Sequence, residues 1–151
     1  MINTKQTLLS CDSFIDNEYL DKYCLLVDRN TKTNVRHGLT NAHHIIPKSW
    51  FKLNNLPIDN SLSNLVNLIY REHVLAHYYL CLCTSGKLQY TNELALICLS
   101  TRKKLNVVDK QLVTKLPLYN IIYENYCEHK RMYVNFYEDV DKWLQKPLLN
   151  K

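Results

Sequence analysis

Four of the six histidines in this chain lie in one short block, and their spacing restricts how that block can fold. His73 and His77 are four residues apart, so a helix would place them on one face, where both can bind one metal ion. His43 and His44 are adjacent, and on a strand their side chains would point in opposite directions. One of them can therefore face the metal while the other faces a substrate. Three protein ligands with an open position are typical of a catalytic metal site.

The residues around these histidines predict two short strands and a helix. Residues 41–46 predict a strand that ends at Pro47, residues 65–69 a second strand, and residues 71–84 a helix. The intervening residues 48–63 contain asparagine, proline and aspartate, which are common in turns, so they predict a long loop. The block is therefore expected to form a strand, a loop, a strand and a helix.

Helices are predicted on both sides of the histidine block. Apolar residues recur at helical spacing over residues 13–28, over residues 88–101, and in a long pattern from Pro117 to Leu144. Asp12 or Ser13 could cap the first of these helices. Residues 29–40 are polar and contain Gly38, so they predict a loop, whereas residues 105–116 are ambiguous. At 151 residues the chain is long enough for one domain with a modest core.

The histidine block resembles the HNH endonuclease family, and it is most similar to the phage-type members of that family. Three motifs carry the resemblance: HHIIPKS at residues 43–49, NLV at residues 64–66, and REH with a second histidine four residues on, at residues 71–77. The resemblance implies a mostly helical α+β fold with a small ββα-metal core. The expected segments of this single domain are an N-terminal helical segment at 1–36, the core at 37–84, and a C-terminal helical segment at 85–151.

The resemblance also implies a role for each residue of the block. His43 would bind the metal together with His73 and His77, and His44 would be the general base. Asn64 occupies the position of the family's central asparagine, whose amide typically hydrogen-bonds the backbone near the base and holds it in place. Many relatives have glutamate where this chain has Asn41, but this difference removes none of the implied ligands.

The charge of the chain permits nucleic-acid binding without requiring it. The net charge is +5, and basic residues lie on both sides of the histidine block. Lys48, Lys52 and Arg71 are the candidate phosphate contacts closest to the histidines. Further basic clusters are found at residues 29–36, 102–104 and 130–131. For each cluster alone, a solvated surface is the alternative interpretation.

One divalent metal ion is the expected cofactor. Three imidazole ligands favour zinc or another transition ion, although Mg, Mn or Ni could act if the phosphate supplied oxygen ligands. Cys81 follows His77 by four residues and is an alternative ligand, but packing in the core is the competing interpretation. The six cysteines form no CxxC pair, so a separate cysteine zinc knuckle is not expected. His37 and His129 are not part of such a motif, so they are interpreted as ordinary loop and helix residues.

We therefore expect a metal-dependent DNA endonuclease that hydrolyses phosphodiester bonds. Two alternatives remain: a toxin-like nuclease that acts on any DNA, and a DNA-binding protein that keeps a structural, non-catalytic ββα-metal core. No apolar run approaches the roughly 20 residues of a membrane helix, so a membrane is not an expected partner. The resemblance implies DNA as the partner. The polar N-terminus does not resemble a secretion signal, and a cytoplasmic location in a bacterial or phage-infected cell is expected.

Overall fold

The computed structural model describes residues 3–33, 40–101 and 107–133. Within these ranges the chain forms a mostly helical α+β fold with one two-stranded antiparallel sheet, as the sequence predicts. The elements follow in this order: α1 (Thr4–Leu9), α2 (Glu18–Thr33), β1 (Thr40–His44), α3 (Lys48–Leu53), a 3-10 turn (Leu62–Asn64), β2 (Leu65–Ile69), α4 (Tyr70–Cys83), α5 (Gly86–Leu99), α6 (Val107–Leu112) and α7 (Tyr119–Met132). The expected boundary between residues 84 and 85 lies in the turn between α4 and α5. The boundary after residue 36 lies outside the described residues, and the single-domain organisation stays a prediction.

The sheet consists of the two strands on either side of the long connection after the histidine pair. β2 has the predicted bounds, and the register places His43 opposite Val66 and His44 opposite Leu65. β1 ends at His44 rather than at the predicted Ile46. The next two backbone N–H groups both donate to Asn64, which precedes β2. The Ile45 N–H donates to the Asn64 carbonyl at 2.9 Å, and the Ile46 N–H donates to the Asn64 side chain at 2.8 Å, so the regular strand pairing ends there.

Helix α4 begins and ends one residue earlier than predicted, and it lies between two groups of buried apolar side chains. The first apolar cluster joins α4 to α1, α2 and the sheet, and the second joins α4 to α5, α7 and Val113. Ala76, Leu80 and Cys83 belong to the first cluster, whereas Val74, Tyr78 and Cys81 belong to the second. A helix that is apolar on most sides is typical of a buried position.

The predicted start of the second helix is wrong. We expected Asp12 or Ser13 to cap it, but α2 begins at Glu18. The cap is Asn17, whose side-chain oxygen accepts hydrogen bonds from the N–H groups of Tyr19 at 3.0 Å and Leu20 at 3.1 Å. These bonds satisfy two of the donors that every helix start leaves open.

Phe14 is the residue that caused the helix start to be predicted too early. It lies in an extended segment, bridges Thr84, and packs against the first apolar cluster without being helical. At its other end α2 runs on to Thr33, so part of the predicted loop at residues 29–40 is helical. Asn30 supports this extension because its amide donates to Glu72 of α4 at 3.0 Å. The rest of that loop, residues 34–39, lies outside the described residues.

The predicted loop at residues 48–63 is also wrong, because it contains α3 and the 3-10 turn. Pro47 occupies the N-cap of α3 with φ −58°, close to a helical value, and Phe51 is buried. A helix of six residues is too short to show a period in the sequence.

The C-terminal helices agree with the sequence in part. Helix α5 begins and ends two residues before the predicted 88–101, and α6 forms in the ambiguous segment. Helix α7 covers the start of the long pattern after Pro117, and the remainder up to Leu144 lies outside the described residues. Among the helices in the part of the chain described, none combines the length and apolar character needed to cross a bilayer.

Candidate metal centre

Three histidines from two elements converge on one point. His73 and His77 share a face of α4, and His43 approaches them from β1. One ring nitrogen from each lies within 4.8 Å of the others, and they form the one such group of potential ligands in residues 3–33, 40–101 and 107–133. The ring centroid of His43 lies 5.3 Å from that of His73 and 5.1 Å from that of His77. The three residues predicted as ligands are therefore neighbours in space.

The spacing of these nitrogens fits a metal ion. Nitrogens bound at about 2.0–2.1 Å to a tetrahedral zinc lie about 3.3 Å apart. The Nε2 atoms of His73 and His77 are 3.1 Å apart, close to that value. Imidazole nitrogens are ligands for zinc and for other transition ions. The residues present therefore fit a single divalent ion.

The surroundings of His43 keep its ring in the form that can bind a metal. His43 is only 4% exposed. The pKa of His43 lies well below its usual value, mainly because the ring is buried. The nearby imidazoles of His77, His73 and His44 lower the pKa further. Its Nε2 lies 2.9 Å from the hydroxyl of Tyr23, a fully buried residue of α2. His43 is therefore neutral near pH 7, and only a neutral imidazole has a lone pair for a metal.

His44 lies beside the ligands with a different partner. Its Nε2 is 2.8 Å from the side-chain oxygen of Asn60. An amide oxygen only accepts hydrogen bonds, so Nε2 is the donor in this contact and Nδ1 is the nitrogen that the contact leaves out. Ser61 helps to hold Asn60 in place, because its N–H donates to the Asp59 carboxylate at 2.9 Å and closes a tight turn around it. His44 therefore has an oriented ring and a nitrogen that can accept a proton.

Asn64 makes the backbone contacts that its position in the sequence suggests. It is 4% exposed, and its side-chain oxygen accepts the Ile46 N–H at 2.8 Å. Its amide group donates to the carbonyls of Asp59 at 3.0 Å and Ile46 at 3.3 Å. Asn64 thus ties the segment after His44 to the turn that carries Asn60. Its contribution is to hold His44 and Asn60 at a constant separation.

A pocket of about 570 Å³ lies over the four histidines. His43 and His44 line it from β1, and His73 and His77 line it from α4. The facing side is formed by α5, with the following lining residues: Thr91, Asn92, Leu94, Ala95 and Cys98. The ligands and the proton acceptor are therefore accessible from one cavity.

The predicted phosphate contacts divide into two groups. Lys48 and Lys52 are four residues apart on α3, so they share a face of that helix, and both line the pocket. Arg71 instead lies outside this pocket, with its Nε 3.7 Å from the Asp109 carboxylate. A role for Arg71 as a phosphate contact stays a prediction.

The other basic clusters do not line the pocket as far as they are described. Arg29 lies 3.2 Å from the Glu72 carboxylate, and Lys130 and Arg131 are exposed on α7. Residues 34–36 and 102–104 lie outside the described residues.

Cys81 and His129 do not line the histidine pocket and pack elsewhere in the fold. Cys81 is 1% exposed and packs in the second apolar cluster, which agrees with core packing rather than with metal binding. The Nδ1 of His129 lies 2.6 Å from the carboxylate of Glu93, which is buried between α5 and α7. His37 lies outside the described residues.

Tyr23, Asn60 and the α5 side of the pocket are absent from the predicted site. Asn60 stands out in the sequence only as a second asparagine near Asn64, and Tyr23 only as part of a tyrosine-rich segment. Their contacts join residues 16 and 20 positions apart, across a turn and between two elements. Only the folded chain brings them to the histidines.

Comparisons with known proteins add no relative from which a function could be transferred. No protein-family model matches this chain, and no curated protein or solved structure matches it. The function must therefore be inferred from the site itself. The site offers three converging imidazoles that could hold a metal ion, a fourth histidine with an oriented ring, and two lysines in one pocket.

Proposed function

We propose that this protein is a metal-dependent DNA endonuclease of the HNH type, which hydrolyses phosphodiester bonds. One observation carries the proposal: His44, oriented by Asn60 through Nε2, lines the same pocket as the converging His43, His73 and His77. A purely structural metal site has no use for a proton acceptor oriented beside it. The geometry therefore favours a catalytic centre over a structural, non-catalytic core.

The order of the elements supports the same proposal. The metal position lies between an antiparallel strand pair and the helix that directly follows it, β1, β2 and α4. The resemblance to HNH endonucleases implies this ββα-metal arrangement. The asparagine that joins the strand pair, Asn64, also has the backbone contacts that the resemblance implies.

The residues of the chain have separate tasks in the proposed reaction. His44 accepts a proton from the attacking water at Nδ1, while Asn60 holds the ring through Nε2. Lys48 and Lys52 attract the phosphates of the substrate to the pocket. A bound divalent ion supplies positive charge that stabilises the phosphate oxygens and the leaving oxygen. His43, His73 and His77 would hold that ion, and zinc fits their nitrogen ligands best, with Mg, Mn and Ni as alternatives.

Cleavage of supercoiled plasmid DNA tests the proposal directly. The protein is freed of metal with a chelator and then assayed with Zn, Mg, Mn and Ni, on supercoiled, linear and single-stranded DNA. We expect conversion of supercoiled DNA to nicked or linear DNA that requires added metal. DNA binding without cleavage under every metal would instead support the structural, non-catalytic alternative.

Substitution of His44 separates catalysis from metal binding. In His44→Ala we expect cleavage to fall on the order of a hundredfold or more, the range for a lost general base. Metal content, measured by elemental analysis, and DNA affinity should stay close to those of the unchanged protein, because the three ligands and both lysines remain. Near-normal cleavage by this folded, metal-loaded variant would remove His44 from the mechanism.

A further inference from the structure

We propose that Tyr23 is a positioning residue that selects the tautomer of His43, so that His43 presents Nδ1 to the metal ion. The role in metal binding rests on the proposed function, whereas the tautomer itself follows from contacts within the protein. Neither the histidine motifs nor their spacing points to Tyr23, because it lies on α2, outside the histidine block.

The Tyr23 hydroxyl has two possible acceptors for its proton. The hydroxyl oxygen lies 2.7 Å from the backbone carbonyl oxygen of Ile45 and 2.9 Å from Nε2 of His43. A carbonyl oxygen cannot donate, and a tyrosine hydroxyl has one proton. The contact with Ile45 is therefore a hydrogen bond only if Tyr23 donates that proton to it.

The contact with Tyr23 also determines which ring nitrogen of His43 carries the proton. With its own proton given to Ile45, Tyr23 offers only lone pairs to His43. The contact at Nε2 is then favourable only when Nε2 carries the ring proton and donates it. A neutral imidazole has one ring proton, so the lone pair of His43 is at Nδ1. Nδ1 is therefore the nitrogen available to an ion held with His73 and His77.

The position of Tyr23 makes this selection rigid. Tyr23 is 0% exposed and belongs to the first apolar cluster, so its ring cannot swing away without opening the core. Its two partners are the ligand and a backbone group two residues further along the same chain segment. The hydroxyl thus connects α2 to the end of β1 and sets the direction of the His43 ring.

The ring nitrogens of His43 report the tautomer without any substitution. In the metal-free protein near pH 7, correlation of the imidazole nitrogens and protons by NMR should show the proton of His43 on Nε2. A proton on Nδ1 would overturn the proposal. This measurement needs neither a bound metal nor a substrate, so its result is independent of whether the protein is a nuclease.

Removal of the hydroxyl tests the consequence for the metal. In Tyr23→Phe the ring stays, but Nε2–H of His43 loses its acceptor, and zinc affinity should fall 10- to 100-fold, as for other outer partners of metal-binding histidines. The matched control is Tyr70→Phe, which removes a hydroxyl that donates to the Leu99 carbonyl at 2.9 Å. We expect the control to bind zinc as the unchanged protein does.

The possible results separate the two proposals. Zinc binding that is equally tight in Tyr23→Phe and in the unchanged protein would overturn the role of Tyr23 and leave the endonuclease proposal standing. A His43 proton on Nε2 in a protein that binds no divalent ion would support the tautomer and refute the metal-dependent function. A loss of zinc affinity of the same size in Tyr70→Phe would also overturn the proposal, since it would be an effect of stability alone.

Discussion

His43 and His44 are neighbours in the chain, but each has its own hydrogen-bond partner, and those partners give the two rings different tasks. Tyr23 holds His43 and Asn60 holds His44, both through Nε2. The alternation of side chains along β1 separates the two rings, and the partners then orient them. Two identical side chains can therefore serve as a metal ligand and as a base.

Asn60 should affect catalysis more than metal binding. In Asn60→Ala the Nε2–H of His44 loses its acceptor, so the ring can rotate and exchange tautomers. We expect the cleavage rate to fall about tenfold or more, since a misplaced base retains part of its effect. Asn54→Ala is the control, because Asn54 is an exposed asparagine at the end of α3. Equal cleavage rates in the two variants would exclude a positioning role for Asn60.

Metal affinity should depend on the histidines of α4. His73→Ala or His77→Ala each removes one of three ligands, so zinc affinity should fall by at least tenfold in titrations against a competing chelator. Cys81→Ala provides the control, because Cys81 lies on the same helix but packs in the second apolar cluster. If Cys81→Ala lowered the affinity as strongly as the histidine variants, the ligand set would have to be revised.

At the scale of the elements, α3 provides the two lysines that line the pocket over the histidines. Lys48 and Lys52 line the pocket, so their double substitution by glutamine should weaken DNA binding and reduce its salt dependence. The slope of log affinity against log salt should become shallower by up to about 1.8, because each neutralised phosphate contributes about 0.9 on duplex DNA.

The basic pair on α7 is the matched control for α3. Lys130 and Arg131 are exposed and lie outside the pocket lining, and their substitution by glutamine removes the same charge. We expect the salt slope of this variant to stay unchanged. A slope reduced equally by both double substitutions would place α7 on the DNA path as well.

Helices and strands could be predicted from the sequence where their own residues carry the pattern. β2 and α4 can be predicted to within one residue because Val66 and Leu68 alternate into the core from β2 and buried apolar side chains recur along α4. The start of α2 and the presence of α3 could not be predicted, since the half-buried Phe14 packs against the core from an extended segment and α3 has fewer than two turns.

The same distinction applies to the site. The proximity of His73 and His77 could be predicted because one helix sets their separation. Asn60, Tyr23 and the α5 side of the pocket could not, because they reach the histidines only through tertiary contacts.

At the scale of the whole molecule, a buried carboxyl group connects α5 to α7. Glu93 is 0% exposed, and its Oε2 has no hydrogen-bond partner among the described residues. Burial raises the pKa of this carboxyl from 4.5 to about 7, although the hydrogen bond to His129 lowers it. Burial, and after it the charge of Glu93, raises the pKa of the Cys81 thiol on α4.

The raised pKa of Glu93 predicts how stability depends on pH. The folded protein binds the Glu93 proton more tightly than the unfolded chain, so this contribution is complete below pH 4.5 and is lost as pH rises through about 7. Relative to Glu93→Gln, the unchanged protein should be less stable at pH 8 than at pH 5 in urea unfolding. The exposed Glu124→Gln should show no such change. A constant difference between the unchanged protein and Glu93→Gln at both pH values would contradict this.

Because α4 contributes side chains to both apolar clusters, it is packed against both halves of the described core. We therefore expect its backbone amides to be among the slowest to exchange, because exposing the whole helix requires both clusters to open. An ion bound to His73 and His77 is held by that same part, so occupancy adds to the cooperativity of the entire fold rather than to a local loop. Release of such an ion would then be coupled to unfolding, and its binding would stabilise the whole protein.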